Sequence, residues 1–96
     1  MSTRQLTELQ TEIIDALAND YEDLAQLHAM VGSDLDRSEI VSALWELIEM
    51  GYVLCYEPTR YDMIPVTEPE EDRLRAFWFG LSDAGETFLA TLEAAN

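Results

Sequence analysis

The stretch DRSEIVSALWELIEMGYVLCY, Asp36 to Tyr56, holds a helix, both of its end signals and the strand that follows. Asp36 can accept hydrogen bonds from the free backbone donors of a first turn, and Glu39 stands three residues on, the spacing of a capping box. Gly51 occupies the place where a helix commonly ends on a left-handed residue, a conformation glycine adopts without steric penalty. Between these signals, Ile40, Ala43, Leu44, Leu47 and Ile48 recur at three- and four-residue spacing. At about 100° per residue they form one apolar stripe, which predicts a core-facing helix over residues 36–50. The opposite face carries Ser38, Ser42, Trp45, Glu46 and Glu49, with Val41 at its margin.

After Gly51, Tyr52-Val53-Leu54-Cys55-Tyr56 is β-branched and aromatic and reads as a strand over 52–56. Phe77-Trp78-Phe79-Gly80-Leu81 reads as a second strand, and Ser82 or Asp83 caps a helix that follows over 84–95. Helix, glycine, strand, loop, strand, helix is the order of a winged helix-turn-helix. LWELIEMGYV followed by FWFGLSDAGETFL resembles the segment shared by many small bacterial and archaeal winged-helix transcriptional regulators, where a recognition helix ends in Gly and the last strand runs into Leu-Ser/Thr-x-x-Gly. The resemblance extends from about Leu6 to Leu92. It implies an α+β fold with a three-helix core, a two- to three-stranded β-wing and a C-terminal helix, in one domain spanning 1–96. It leaves function open, because such domains serve DNA binding, protein binding and dimerisation alike.

Ninety-six residues and an apolar fraction of 48% suit one packed domain. No apolar run approaches the ~20 residues that span a bilayer, and MSTRQLTELQ lacks the apolar centre of a signal peptide. Cys55 is the one cysteine, so no internal disulfide is possible. Cytoplasm is the expected compartment. Twenty acids against five bases give a net charge of −15, and every base is arginine. Nucleic-acid affinity rests largely on Lys and Arg at phosphates, so the chain as a whole is repelled by DNA unless a local basic patch overrides the total. A GC-rich genome favours arginine over lysine, and a salt-adapted proteome is acidic throughout; both are plainer sources of this composition.

Upstream, Leu6, Leu9, Ile13, Ile14 and Leu17 predict a first helix over 4–18 with Thr3 or Ser2 as cap. Asn19-Asp20 breaks it. Leu24, Leu27 and Val31 predict a second helix over 21–31, capped by Asp20 with Asp23 in the capping-box position. Three helices with short connections fit a helix-turn-helix core. Residues 57–76 form an enlarged wing loop, in which Pro58, Pro65 and Pro69 disfavour helix and central strand. In the last helix, Phe88, Leu89 and Leu92 turn inward, and the Ala-rich end offers a pairing surface for a second copy.

Readers of DNA place Arg, Lys, Asn or Gln on the exposed face of the recognition helix. Asp36 to Met50 holds four acids and one base, Arg37. Arg60, Arg73 and Arg75 lie in the wing, and the alternation Arg73-Leu74-Arg75 aims both arginines at one groove. Their plainer reading is pairing with the acids nearby. Trp45 beside Glu46 and Glu49 has the make-up of a protein-contact hot spot with a polar rim; its plainer reading is packing beneath the wing. Cys55, followed by Tyr56-Glu57, lacks the cationic neighbours of a reactive thiolate. With a single histidine, His28, a zinc set is incomplete. Glu68-Pro-Glu70-Glu71-Asp72 lacks an ordered ligand spacing and reads as a solvated charge run.

No catalytic, cofactor-binding or metal-binding set is identifiable, so the expectation is a non-enzyme. The first reading is an acidic winged-helix protein acting through protein contacts. The expectation is a homodimer through its terminal helices, with Val41, Trp45, Glu46 and Glu49 as the contact set for a partner that has a basic surface. Such a protein takes part in transcription regulation, or occupies a basic surface as an acidic mimic. The alternative is a DNA-binding regulator contacting nucleic acid through Arg37, Ser38, Ser42, Arg60, Arg73 and Arg75.

Overall fold

Reciprocal capping sets the helix starts. The computed structural model describes residues 6–95. Helix α1 spans Glu8–Ala16 and is capped by Thr7, whose Oγ1 accepts from the Gln10 N–H (3.1 Å) while Gln10 Oε1 accepts from the Thr7 N–H (3.0 Å). It is shorter than the span 4–18, and the expected caps Ser2 and Thr3 lie outside the described residues. Helix α2 spans Leu24–Val31 and starts three residues later than its apolar spacing predicts. Asp23 proves to be its cap, exchanging bonds with Gln26 at 2.8 and 3.1 Å, whereas the Asp20 carboxylate accepts only the adjacent Tyr21 N–H. That frees Glu22–Asp23 to form strand β1.

Helix α3 spans Arg37–Glu49, and Glu39 Oε2 accepts from the Asp36 N–H at 3.2 Å. Gly51 has φ 83°, and the Tyr52 and Gly51 N–H groups reach back to the Leu47 and Ile48 carbonyls, both at 3.0 Å. This is a Schellman stop, and it requires a left-handed residue at position 51. Helix α4 spans Asp83–Ala95, with Ser82 Oγ accepting from the Gly85 N–H at 3.1 Å.

The region expected as one loop over 57–76 has structure of its own. Strand β2 covers Val53–Pro58 and strand β3 Met63–Pro65. Their turn is fixed by Thr59 and Asp62, which exchange backbone and hydroxyl bonds at 2.7 to 3.0 Å. A 3₁₀ segment follows at Glu71–Ala76, then strand β4 at Trp78–Leu81. The prolines stay compatible with pairing because Pro58 ends β2 and Pro65 ends β3, on the sheet's edge.

The result is a mixed α+β fold. Four antiparallel strands run in the order β1-β4-β2-β3, with the helices packed on one face. Ile13, Ile14, Leu17, Leu24, Leu27, Ile40, Ala43, Leu44 and Leu47 from the helices meet Val53, Cys55, Phe77 and Phe79 from the sheet side. Leu74, 1% exposed, pins the 3₁₀ segment to that core. Gln10 is the buried polar side chain among them; its Nε2 donates to the Ala43 carbonyl and to the Glu46 carboxylate, tying α1 to α3.

Candidate functional site

The first turns of α3 and the 3₁₀ segment form the two walls of an open groove of about 450 Å³. Arg37 and Ser38 stand on the α3 wall, with Val41 one turn further in. Glu71, Asp72 and Arg75 stand on the other wall. Leu24 and Leu74, both buried, and half-buried Val41 supply an apolar floor. The charged groups are exposed, and the groove balances two guanidinium groups against two carboxylates.

Four of the residues singled out from the sequence therefore meet here: Arg37, Ser38, Val41 and Arg75. Arg73 is not among them. A strand-like alternation would put Arg73 and Arg75 on one side, but a 3₁₀ turn repeats every three residues. Asp72 and Arg75, and Glu71 and Leu74, are then one turn apart and line the groove, and Arg73 does not. Arg60 lies at the β2–β3 turn, its guanidinium 5.7 Å from the centroid of the exposed Tyr61 ring. Of the four arginines, the groove takes Arg37 and Arg75.

Of the residues expected to hold a partner, Val41, Trp45 and Glu49 follow one another at four-residue spacing along α3, and Glu46 turns toward α1. Trp45 is half-buried and packs against the core. Glu46 is half-buried and accepts from Gln10, on the side of α3 that faces α1. Ser42 and Glu49 are exposed on α3 outside the groove. Only Val41 of that set reaches the groove floor. Glu71, Asp72 and the two leucines were missed as lining residues. The available signal was the three-residue spacing of Glu71, Leu74 and of Asp72, Arg75, which is hard to see in a run rich in charge.

The remaining reactive side chains serve the fold. His28 Nε2 lies 2.7 Å from the Leu35 carbonyl, so this nitrogen carries the proton and donates across the α2–α3 turn. Cys55 is buried among apolar groups, and that burial pushes its thiol up to about 11. At pH 8 the native thiol is accordingly expected to resist iodoacetamide, and to react on addition of denaturant, as mass spectrometry would register. Rapid native labelling would mean that β2 opens readily. The same shift has a sign for stability. The unfolded thiol ionises near its ordinary value of 9.0 and the folded one near 11, so the contribution is full below pH 9 and is lost as pH rises toward 11.

Among the described residues, no helix is long and apolar enough to cross a membrane. No protein family, no curated protein and no solved structure shows a significant match to the chain.

Proposed function

We propose that this chain is a winged-helix domain that holds a protein partner against its third helix. Three features support the fold reading. A short strand between α1 and α2 pairs with the last strand, α3 leads directly into the sheet, and the β2–β3 hairpin extends from it as a wing. The observation that carries the functional reading is the groove's charge. Two arginines over an apolar floor are offset by Glu71 and Asp72, and the rest of the exposed α3 surface adds Glu39 and Glu49. Phosphate binding gains nothing from such a surface. A partner with apolar side chains for Leu24, Val41 and Leu74, and basic groups for the surrounding acids, is matched on both counts.

The convergence of Arg37, Ser38 and Arg75 favours a second reading, a DNA-binding regulator. Two arginine–phosphate contacts would give a salt slope of only about −2 in log K against log salt. Fluorescence anisotropy with mixed duplex fragments at about 50 and 200 mM salt separates the readings. The protein-contact reading expects no binding at either salt. Binding at low salt that weakens roughly 16-fold at the higher salt, as a slope of about −2 requires, would overturn it. In the same state, affinity capture on the native chain and on Val41→Ser is expected to differ by a basic protein that the variant fails to retain; identical captures would remove the groove as the contact surface. A homodimer through the terminal helices would bring Leu89 and Leu92 of two copies together, each pair rimmed by Glu12, Asp15 and Glu93. Pairing of that kind is promoted by salt, because those carboxylates repel.

A further inference from the structure

An antiparallel sheet with one face in water ordinarily alternates apolar and polar residues along each strand. The outer face of this sheet breaks that rule. Residues directly opposite each other in a ladder share a face, and the inward pair is Cys55 with Phe79, both buried. The outward set is then Tyr56 opposite Trp78 and Pro65, Pro58 opposite Met63, and Leu54 opposite Gly80. No charged residue of β2, β3 or β4 lies on that side. Tyr21 completes the surface. Its ring lies where a side chain at Gly80 would stand, 2.6 Å from the position of a Cβ there, and meets the Tyr56 ring edge-on at 5.0 Å. Leu54 and Tyr21 remain 43% and 44% exposed, while Tyr56, Met63 and Trp78 are half-buried.

A shallow groove of about 380 Å³ crosses this face between Tyr21, Trp78, Met63 and Pro58, with Asp20 and Glu22 at its rim and, among the described residues, no basic side chain lining it. We propose that the outer face of the sheet binds an extended, arginine- or lysine-bearing segment of another protein. The charge decides the occupant. A second copy would bring another −15 to a surface already rimmed by carboxylates. A cationic side chain finds aromatic faces at Trp78 and Tyr21, whose rings attract cations, and carboxylates beside them. Apolar residues of the segment cover Leu54 and Met63. This surface shares no lining residue with the α3 groove, and stands without it.

The test uses the full chain in a Trp45→Phe background, where Trp78 is the remaining tryptophan and reports locally. The probe is a fluorescein-labelled peptide of alternating arginine and proline, with a glutamate–proline peptide as its counterpart. The arginine peptide is expected to bind and to change Trp78 emission. Tyr21→Ser and Leu54→Ser, both neutral substitutions, are expected to weaken it ~10-fold, the loss typical of removing a contact hot spot. Val41→Ser, in the other groove, is expected to leave the affinity unchanged. Leu54→Ser sits at an exposed position and keeps the test valid if loss of Tyr21 disturbs the sheet. Equal affinity of the native chain and both neutral variants would show that only the total charge is read, and would overturn the proposal. So would a Trp78 emission that shifts with protein concentration alone, since a second copy would then cover the face.

Discussion

Gly85→Ala is expected to destabilise the domain by roughly 2–3 kcal/mol, although alanine is the better helix former by about 1 kcal/mol. Gly85 lies in the first turn of α4, directly over the end of α3. A Cβ there would stand 2.2 Å from the Tyr52 carbonyl oxygen, and backbone has little room to yield. That carbonyl is already committed, accepting the Ser82 N–H at 3.0 Å. The Ser82 hydroxyl donates to the Gly51 carbonyl and accepts from the Gly85 N–H. Helix α4 is thus fastened to the glycine that stops α3, and Phe88 rests on the Tyr52 ring at 5.4 Å. An alanine methyl would lift the helix off this corner and break both Ser82 contacts. Urea unfolding followed by circular dichroism measures the loss. A variant as stable as the native chain would show that α4 shifts without cost and that the corner is not tightly packed.

The same corner explains why the sequence read well in this region. Leu-Ser-Asp-Ala-Gly, residues 81–85, is a packing signature: the serine caps and latches, and the glycine clears a carbonyl. Gly51 likewise announced its left-handed turn, and of the stripe Ile40, Ala43, Leu44, Leu47 and Ile48 all but the half-buried Ile48 are inside. Each of these has a local residue signature, even where, as at Ser82 and Gly85, the contact is made with Gly51 and Tyr52. What stayed hidden depends on distant partners. Glu22–Asp23 has the composition of a helix start, and becomes strand because β4 is there to pair with it. Trp45 sits opposite the apolar stripe on a helical wheel, yet other elements wrap far enough to bury half of it. The outer sheet face was partly legible: Tyr52 to Tyr56 has no polar alternation at all, the mark of a strand with two apolar faces. The meeting of Arg37, Ser38 and Arg75 was not, since it needs the 3₁₀ pitch and the burial of Leu74.

Leu74 is accordingly where a small change should have the largest effect on the groove. From Glu57 to Ala76 it is the buried residue; Phe77 follows at the start of the last strand. Glu71, Asp72 and Arg75 hold their places on the groove wall because this one side chain reaches the core. Leu74→Ala removes the apolar contact and leaves a cavity, a loss of about 2–4 kcal/mol in a well-packed site. Much of that loss is expected to appear as local opening rather than global unfolding, because the segment is joined to the sheet at both ends and contributes little else to the core. Trypsin reads the opening directly, since Arg73 and Arg75 flank the leucine. A local loss of ~2 kcal/mol raises the open population, and the cleavage rate with it, about 30-fold. Partner retention through the groove should fall in parallel, while Leu74→Met, close in volume, keeps both properties near native. An unchanged cleavage rate would show that the 3₁₀ segment is held by contacts other than Leu74. The groove wall would then owe its position to the flanking strands, and the placement of Arg75 opposite Arg37 would follow from those.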